Sequence, residues 1–290
     1  MKARPNDAAT ERNLAIANFK AQRYATAWRL LRPMTTQYPT DFQILDLSGF
    51  SLFALDKYAE AAAYLERANQ AQPSDLETLD MLGKAYLRMK DYKALTSVFA
   101  RIMQANPNSA SAHFMMATAY DERSQRPEAI KEYQAAEAAD PTFMGVHSGL
   151  GFEYWRDGKN DLAETEFRTE LQRFPSDPVS NCILGQILFA KSQPEEAERH
   201  LRASLAVNPR YTEALLFLGR TELALQHPRA AVEALRKVIQ IDPNYYQAHF
   251  FLGTALRQLG QTAEAAKEQK ISVDIQEKSR AAAIKKNESQ

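Results

Sequence analysis

The chain has 290 residues, of which 45% are hydrophobic and 25% are charged, a composition typical of a folded protein and not of a disordered one. Its 36 basic and 36 acidic side chains cancel, so it lacks the basic surplus that non-specific nucleic-acid binding requires. No apolar run approaches the roughly 18 residues of a membrane span, and the single cysteine, Cys182, excludes an intrachain disulfide or a cysteine metal cluster.

A 34-residue repeat organises nearly the whole chain. Seven prolines follow one another at this spacing: Pro39, Pro73, Pro107, Pro141, Pro175, Pro209 and Pro243. If each proline is given position 32, eight repeats begin at residues 8, 42, 76, 110, 144, 178, 212 and 246. Self-similarity at a fixed period of this length is the signature of stacked-repeat proteins. We therefore expect a short leader at residues 1–7, a single solenoid domain at 8–279 and a polar tail at 280–290.

Each repeat predicts two helices joined by a tight turn. The first helix occupies about positions 1–14, where apolar residues recur with the helical period at positions 4, 7, 8 and 11. A break follows near positions 15–17, and Pro194 and Pro228 then suit the first turn of a second helix. Small residues at positions 8 and 20, such as Gly219 and Ala231, let the two helices approach closely.

The first and last repeats depart from this pattern. In the first, Pro33 falls inside the second helix and is expected to kink or shorten it. The last has Gln269 and Glu277 where a large apolar residue and the proline recur, which makes it a polar cap on the stack. The rest of the chain shows no break, so we expect one long helix with Ile271 and Ile275 against the last repeat. Docking of that helix on another copy, and hence self-association, is the alternative.

The fifth repeat shows the recurring residues most completely. They are Leu150, Gly151, Tyr154, Ala163, Phe167 and Pro175. This pattern of L-G-x-x-Y, then Ala, an aromatic residue and Pro, in a 34-residue period, resembles the tetratricopeptide repeat over about residues 8–279. The resemblance implies an all-α fold, a right-handed superhelical solenoid of antiparallel helix hairpins. It also implies a protein or peptide partner, without naming one.

The resemblance further implies where a partner binds. In family members, first-helix positions near 2, 5, 6, 9, 12 and 13 line the concave groove of the superhelix. Large apolar side chains recur at several of these positions here, which is not expected of a surface that only meets water. The predicted groove residues are Phe50, Phe53, Met81, Lys84, Phe114, Met115, Thr118, Phe152, Trp155, Gln186, Phe189, Phe217, Arg220, Phe250 and Phe251.

Polar side chains within this stripe are expected to set the register of a bound segment. Lys84, Gln186 and Arg220 share position 9, and the two cations are candidates to bind a carboxylate or a backbone carbonyl of the partner. Asp46 and Asp80 share position 5. The alternative for the whole stripe is that its apolar residues fill the contact between consecutive first helices and its charges pair with neighbouring charges.

The sequence predicts no catalytic residues, no metal site and no cofactor. His113, His147 and His249 share position 4, a packing position, and successive repeats would hold such histidines roughly 10 Å apart, too far to share one metal ion. Phosphate-binding glycine loops and the common hydrolase motifs are missing. No three successive repeats supply the Lys, Asn and Arg set with which some repeat co-chaperones grip an EEVD-type tail.

The sequence therefore predicts a protein–protein interaction scaffold or adaptor, not an enzyme, that binds an extended or helical peptide segment in an apolar concave groove. A spacer or dimerisation portion of a larger enzyme or cell-envelope assembly is the alternative. Residues 110–177 carry 13 acidic and 7 basic groups, so recognition of a basic partner by this stretch also stays open. The sequence leaves the compartment open between the cytoplasm and, if a signal was removed, the periplasm.

Overall fold

The computed structural model describes residues 5–288, with side chains described for residues 9–281, and its described residues form sixteen α-helices. The first helices of the repeats are α1 (Pro5–Lys20), α3 (Phe42–Ala54), α5 (Leu76–Arg88), α7 (Ala110–Glu122), α9 (Val146–Arg156), α11 (Pro178–Ala190), α13 (Thr212–Ala224) and α15 (Tyr246–Gln258). The second helices are α2 (Tyr24–Gln37), α4 (Tyr58–Ala71), α6 (Tyr92–Ala105), α8 (Arg126–Ala139), α10 (Asn160–Arg173), α12 (Pro194–Val207), α14 (Pro228–Ile241) and α16 (Thr262–Glu288). The predicted all-α class, built from consecutive antiparallel hairpins, is confirmed.

The 34-residue period fixes where the helices begin. All eight second helices start 34 residues apart, from Tyr24 to Thr262. Six of the eight first helices start at the residue where the sequence count places the start of a repeat, and the exceptions are α1 and α9, which start at Pro5 and Val146. The repeat spacing therefore predicts helix starts as well as the number of hairpins.

Side-chain caps explain four of these starts. Asp41, Asp75, Ser109 and Asp177 each stand directly before a first helix and accept a hydrogen bond from the backbone N–H three residues later, at 2.7–3.2 Å. The polar residues that follow each repeat proline thus satisfy N–H groups that a helix start leaves without a partner.

Each hairpin turns through one residue in the left-handed conformation. These residues also recur every 34 positions, with φ between 57° and 78°: Gln22, Asp56, Lys90, Ser124, Gly158, Ser192, Gln226 and Gly260. Only two of the eight are glycines, so six turns hold a side chain in a conformation that costs roughly 1–2 kcal/mol.

We expect Ser192→Gly to raise the free energy of unfolding by about 0.5–1 kcal/mol, because glycine adopts a positive φ without a side-chain clash. Gly158→Ala is the matched reverse change. An added methyl group there meets nothing within 4 Å, so its expected loss of about 1 kcal/mol reports backbone conformation alone. Urea unfolding of both variants and the wild type measures the two differences, and a loss for Ser192→Gly would contradict this account of the turns.

The tertiary contacts divide the chain after Val146 into an N-terminal half, Met1–Val146, and a C-terminal half, His147–Gln290. In the N-terminal half, the largest core cluster joins first and second helices through side chains such as Leu65, Leu82 and Val98. Burying these apolar side chains between the layers of helices supplies most of the driving force for folding.

In the C-terminal half, the core follows the same plan. Phe167, on a second helix, is fully buried and its ring packs beside Gly151 of the adjoining first helix. Leu201 and Leu235 lie at the equivalent place over Gly185 and Gly219. The small residues predicted at position 8 therefore admit a large side chain from the second helix of the same repeat.

The position-4 histidines pair inside their own hairpins. The Nδ1 atoms of His113, His147 and His249 lie 2.7, 2.8 and 2.6 Å from a glutamate carboxylate 19 residues later. The sixth repeat reverses the pair, since His200 Nδ1 lies 2.9 Å from Asn181 Oδ1 at the same two positions. These side chains therefore link the two helices of a hairpin, which is a packing role.

Pro33 does not shorten the second helix of the first repeat, which was one of its two predicted effects; the kink stays a prediction. Helix α2 contains this proline and still spans 14 residues, the length of α4 and α6. Pro33 removes the hydrogen bond to the carbonyl group of Arg29, and because both residues are exposed, water can satisfy that carbonyl group.

The C-terminal helix runs without a break, as its sequence predicts. Helix α16 spans 27 residues, with Ile271 and Ile275 partly buried. Residues 1–4 of the predicted leader and 289–290 of the predicted tail lie outside the described part of the chain. Every helix between residues 5 and 288 is too short or too polar to cross a lipid bilayer.

Candidate partner-binding surface

The fifteen predicted groove residues lie on first helices and differ widely in exposure. Met115 is only 3% exposed, and its thioether lies beside Gly83 of the preceding first helix. It therefore belongs to the core between hairpins, and we remove it from the candidate surface. Phe250 is 50% exposed, and the other thirteen side chains are partly buried.

In the N-terminal half, the predicted aromatic residues pack on other rings. Phe53 meets Tyr58 edge-on with ring centroids 5.3 Å apart. Phe114 lies between Tyr133 and Phe143, at 5.7 and 5.4 Å. Their partial burial is therefore explained by contacts within this half of the chain.

Phe50 and Met81 follow the same rule, since both pack against the core cluster of the N-terminal half. Phe50 also meets the ring of Phe19 edge-on, with centroids 6.3 Å apart. These contacts favour the packing alternative for the apolar residues of this half.

The polar candidates of the N-terminal half are also paired. Lys84 forms an ion pair with Asp80 one helical turn earlier, with Nζ 2.6 Å from Oδ2. Asp80 in turn accepts a hydrogen bond from Ser111 of the next first helix. The hydroxyl of Thr118 donates to the carbonyl of Phe114 at 2.9 Å. Lys84 is thus a poorer carboxylate ligand than its position alone predicts.

Asp46 also joins consecutive first helices. It accepts a hydrogen bond of 2.7 Å from the hydroxyl of Thr78, a residue with no exposed surface. Burial raises the pKa of Asp46 to about 6, and the hydrogen bond from Thr78 offsets this effect only in part. The carboxyl group therefore takes up a proton in the folded protein at pH values where it is ionised in the unfolded chain.

Because the folded pKa is the higher one, the contribution of Asp46 to stability falls as pH rises from about 4 to about 6. We expect Asp46→Asn to be more stable than the wild type at pH 7 by about 1–2 kcal/mol, a value reduced for the solvent that reaches this side chain. The asparagine carbonyl still accepts the hydrogen bond from Thr78.

Urea unfolding of Asp46→Asn and the wild type at pH 4 and pH 7 measures this effect. At pH 4 the two proteins should differ little, because both side chains are largely uncharged in the folded state. Equal differences at the two pH values, or a less stable variant at pH 7, would contradict the assignment.

The C-terminal half contains a guanidinium group surrounded by three aromatic rings. The Cζ atom of Arg220 lies 4.6 Å from the ring centre of Phe217, 4.9 Å from that of Phe189 and 5.1 Å from that of Phe251. All three distances fall within the roughly 6 Å over which a cation and a ring attract each other. We call these four residues the arginine cluster.

The repeat register explains why these side chains meet. Phe217 and Arg220 are three residues apart on α13 and so share one helix face. Phe189 comes from position 12 of the preceding first helix, α11, and Phe251 from position 6 of the following one, α15. Phe189 and Phe217 also meet edge-on, with centroids 6.3 Å apart.

Arg220 has no acidic partner within the described residues. No carboxylate among residues 9–281 lies within ion-pair distance of its guanidinium, whereas Arg202 binds the buried carboxylate of Glu222 at 2.5 Å. Burial lowers the pKa of Arg220 from its ordinary value, but the group remains a cation at neutral pH. The cluster therefore holds a positive charge between apolar rings.

The three other predicted residues of the C-terminal half make different contacts. Phe152 and Trp155 pack together with centroids 5.8 Å apart. The amide of Gln186 donates to the sulfur of Cys182 at 3.3 Å. Cys182 is fully buried, and burial raises the pKa of its thiol to about 11, so it is not a reactive thiol.

The exposure of Phe250 has a simple structural cause. At position 5 of earlier repeats, Asp46, Asp80 and Ser148 bond to the next first helix. No first helix follows α15 in the described chain, so Phe250 remains half exposed, and its ring meets that of Phe251 edge-on with centroids 5.2 Å apart. Phe250 thus continues the apolar surface beyond the arginine cluster.

The sequence predicts every member of the arginine cluster as a groove residue, but it does not predict that the four side chains meet. The signal for their meeting is an aromatic residue at position 12 of one repeat together with aromatic residues at position 6 of the next two. Within the described residues, no group of three His, Cys, Asp or Glu side chains could hold a metal ion, and no catalytic domain is evident.

Solved structures with a similar fold share little sequence with this chain. MamA from Desulfovibrio magneticus RS-1, residues 41 to the end, is 24% identical with a TM-score of 0.52, over 60% of this chain and 99% of that chain. Pseudomonas aeruginosa pilF is 14% identical with a TM-score of 0.66, over 72% and 96%. YrrB, described as a TPR protein with an unusual peptide-binding site, is 20% identical with a TM-score of 0.57, over 65% and 97%.

No curated protein matches the sequence. A family model described as the tetratricopeptide repeat matches residues 114–178, 149–206, 182–226 and 218–279, which together span more than half of the chain. This match agrees with the 34-residue hairpins and with the fold of the solved structures. The chain therefore belongs to the tetratricopeptide repeat family.

Proposed function

We propose that this protein is an interaction scaffold or adaptor that binds an extended or helical segment of a partner protein. The binding surface is the apolar face of the first helices α11, α13 and α15 in the C-terminal half. The arginine cluster is the observation that carries this proposal, because it combines aromatic rings with a charge that has no acidic partner in the described residues.

The composition of this face suits a protein partner. Aromatic residues and arginine are the residue types that contribute most to the energetic centres of interfaces. Half of Phe250 is exposed, and covering that surface would contribute roughly 1 kcal/mol. Together with the partly buried rings of the cluster, this supports binding of a short segment at about micromolar affinity after the cost of association.

Two comparisons support the class of ligand. Tetratricopeptide repeat proteins generally mediate protein–protein interactions, and YrrB, which is similar in fold, is described as having a peptide-binding site. We place the site on the C-terminal half because the candidates of the N-terminal half already pair with one another, as Lys84 does with Asp80.

Photo-cross-linking tests the proposal. A benzoylphenylalanine placed at Phe250 should give adducts with a partner protein in native lysate. The control places the same group at Leu162 on α10, which is equally exposed at 51% but lies on a second helix. Adducts at Phe250 alone are expected. The same adducts at both positions, or none at Phe250, would contradict the proposal, and adducts only with other copies of the chain would favour the dimerisation alternative.

A further inference from the structure

We propose that the partner segment carries an aspartate or glutamate side chain with apolar residues on both sides of it, and that Arg220 binds this carboxylate. The inference rests on the proposed function and adds the chemistry of the partner to it. It starts from the one cation of the candidate surface that is enclosed by rings and lacks an acidic partner in the described residues.

Arg220 differs from other partly buried arginines of this chain, such as Arg67 and Arg101, which donate to the carbonyl oxygen of Pro39 and to Oδ1 of Asn69. Arg168 binds Glu164 and Glu196, at 2.8 and 2.9 Å, and Arg202 binds Glu222. Arg220 has lost part of its hydration, and aromatic faces replace only some of the lost interaction. A carboxylate from a bound segment would supply the missing interaction.

The geometry of the cluster favours an acidic ligand. A guanidinium is planar, and its N–H groups point outward from the edges of that plane, where two of them match the two oxygens of a carboxylate. The rings of Phe189, Phe217 and Phe251 restrict the orientations of the arginine side chain before any ligand arrives. A side chain that is already ordered loses less entropy on binding.

The same rings indicate that the acid lies within a segment and not at a chain end. Apolar surface continues on both sides of Arg220, with Phe189 on the preceding first helix and Phe250 and Phe251 on the following one. A chain that crosses all three helices meets rings before and after the arginine. A C-terminal carboxylate at Arg220 would leave the rings on one side uncovered.

Position 9 of the neighbouring first helices offers no second cation beside Arg220. The position-9 residue of the preceding first helix is Gln186, which is uncharged and donates to Cys182. The position-9 residue of the following one is Thr254, whose hydroxyl donates to the carbonyl of Phe250 at 3.1 Å. Arg220 is therefore the one cation at position 9 among these three helices.

Selection from a phage-displayed library of random twelve-residue peptides tests the inference. The wild type should enrich peptides with one Asp or Glu flanked by aromatic or aliphatic residues. Arg220→Met should enrich apolar peptides without the acid, because methionine keeps the length of the side chain and its contacts with the rings. Arg229→Met on α14 removes an exposed arginine from a second helix and should select the same peptides as the wild type.

Affinities of one enriched peptide then measure the contact itself. Changing its acidic residue to the corresponding amide should weaken binding to the wild type about tenfold or more, and to Arg220→Met less than about twofold. Amidation of the peptide's C-terminus should leave its affinity unchanged. Thermal unfolding followed by circular dichroism checks that Arg220→Met is folded. The difference in affinity between the acidic peptide and its amide variant on the wild type does not depend on the Arg220→Met variant.

The outcomes separate this inference from the proposed function. Enriched apolar peptides without a preferred acid would leave the proposed function intact and overturn the inference, as would a loss of affinity on C-terminal amidation. Failure of the wild type to enrich any peptide would overturn both. Self-association of the wild type that Arg220→Met abolishes would make a second copy the occupant and would also overturn it.

Discussion

Phe167→Ala is expected to lower the free energy of unfolding by about 3–5 kcal/mol. The phenyl ring is fully buried and lies in the core cluster with Ile183, Leu184 and Leu188, beside Gly151. Removing it takes away a large apolar surface and leaves a cavity that the rigid helices around it fill only partly.

Phe250→Ala is the matched control, because it removes the same atoms from a half-exposed position. We expect it to cost less than about 1 kcal/mol. Urea unfolding followed by circular dichroism compares both variants with the wild type. Similar losses for the two variants would show that Phe250 is buried in the folded protein, and a small loss for Phe167→Ala would contradict the described core.

Gly219→Ala is expected to cost about 1–3 kcal/mol, although alanine is the better helix former by about 1 kcal/mol. A methyl group at Gly219 would lie 2.6 Å from Cγ of Leu235 and 2.8 Å from its Cδ2. Leu235 is fully buried and branched at the atom that clashes, so the second helix must move away from the first.

Gly83→Ala tests the same repeat position where the neighbouring side chain, Met115, is more flexible. Its methyl group would lie 3.0 Å from the sulfur of Met115, which can turn away because methionine is unbranched and flexible. We expect the stability of this variant to stay within about 1 kcal/mol of the wild type. Differential scanning calorimetry of the two alanine variants gives the comparison, and equal losses would mean that the close approach of Leu235 does not set the requirement for glycine.

The sequence predicts the hairpins well because their determinants are local. The 34-residue spacing, the cap residues such as Asp41 and Asp177 and the small residues at position 8 each act within one repeat or at its border. Pro33 is harder to predict from the local sequence, because the effect of a proline inside a helix depends on whether the carbonyl group that loses its hydrogen bond is exposed to water.

The candidate surface is harder to predict because exposure depends on the next repeat. At position 5, Cys182 is fully buried and Phe250 is 50% exposed. The difference arises because the first helix α13 follows α11, which carries Cys182, whereas no first helix follows α15 within the described residues. At position 6, Met115 is buried and Phe251 is only partly so. Helical period tells which face a residue occupies, but not what covers that face.

For the same reason, the repeat position of each residue taken alone does not predict the arginine cluster. Lys84 and Arg220 occupy the same position, yet Lys84 pairs with Asp80 because an acid stands one turn before it. Phe217 precedes Arg220 by three residues, and rings from both neighbouring repeats complete the enclosure. Only the three-dimensional arrangement shows that Lys84 is paired and that Arg220 has no acidic partner within the described residues.

A crystal structure of the protein with an enriched peptide shows where the partner segment binds. We expect the peptide to lie across α11, α13 and α15 and to contact the rings of Phe189, Phe217 and Phe251. A peptide bound instead to the second helices, or to the N-terminal half alone, would contradict the proposed binding surface.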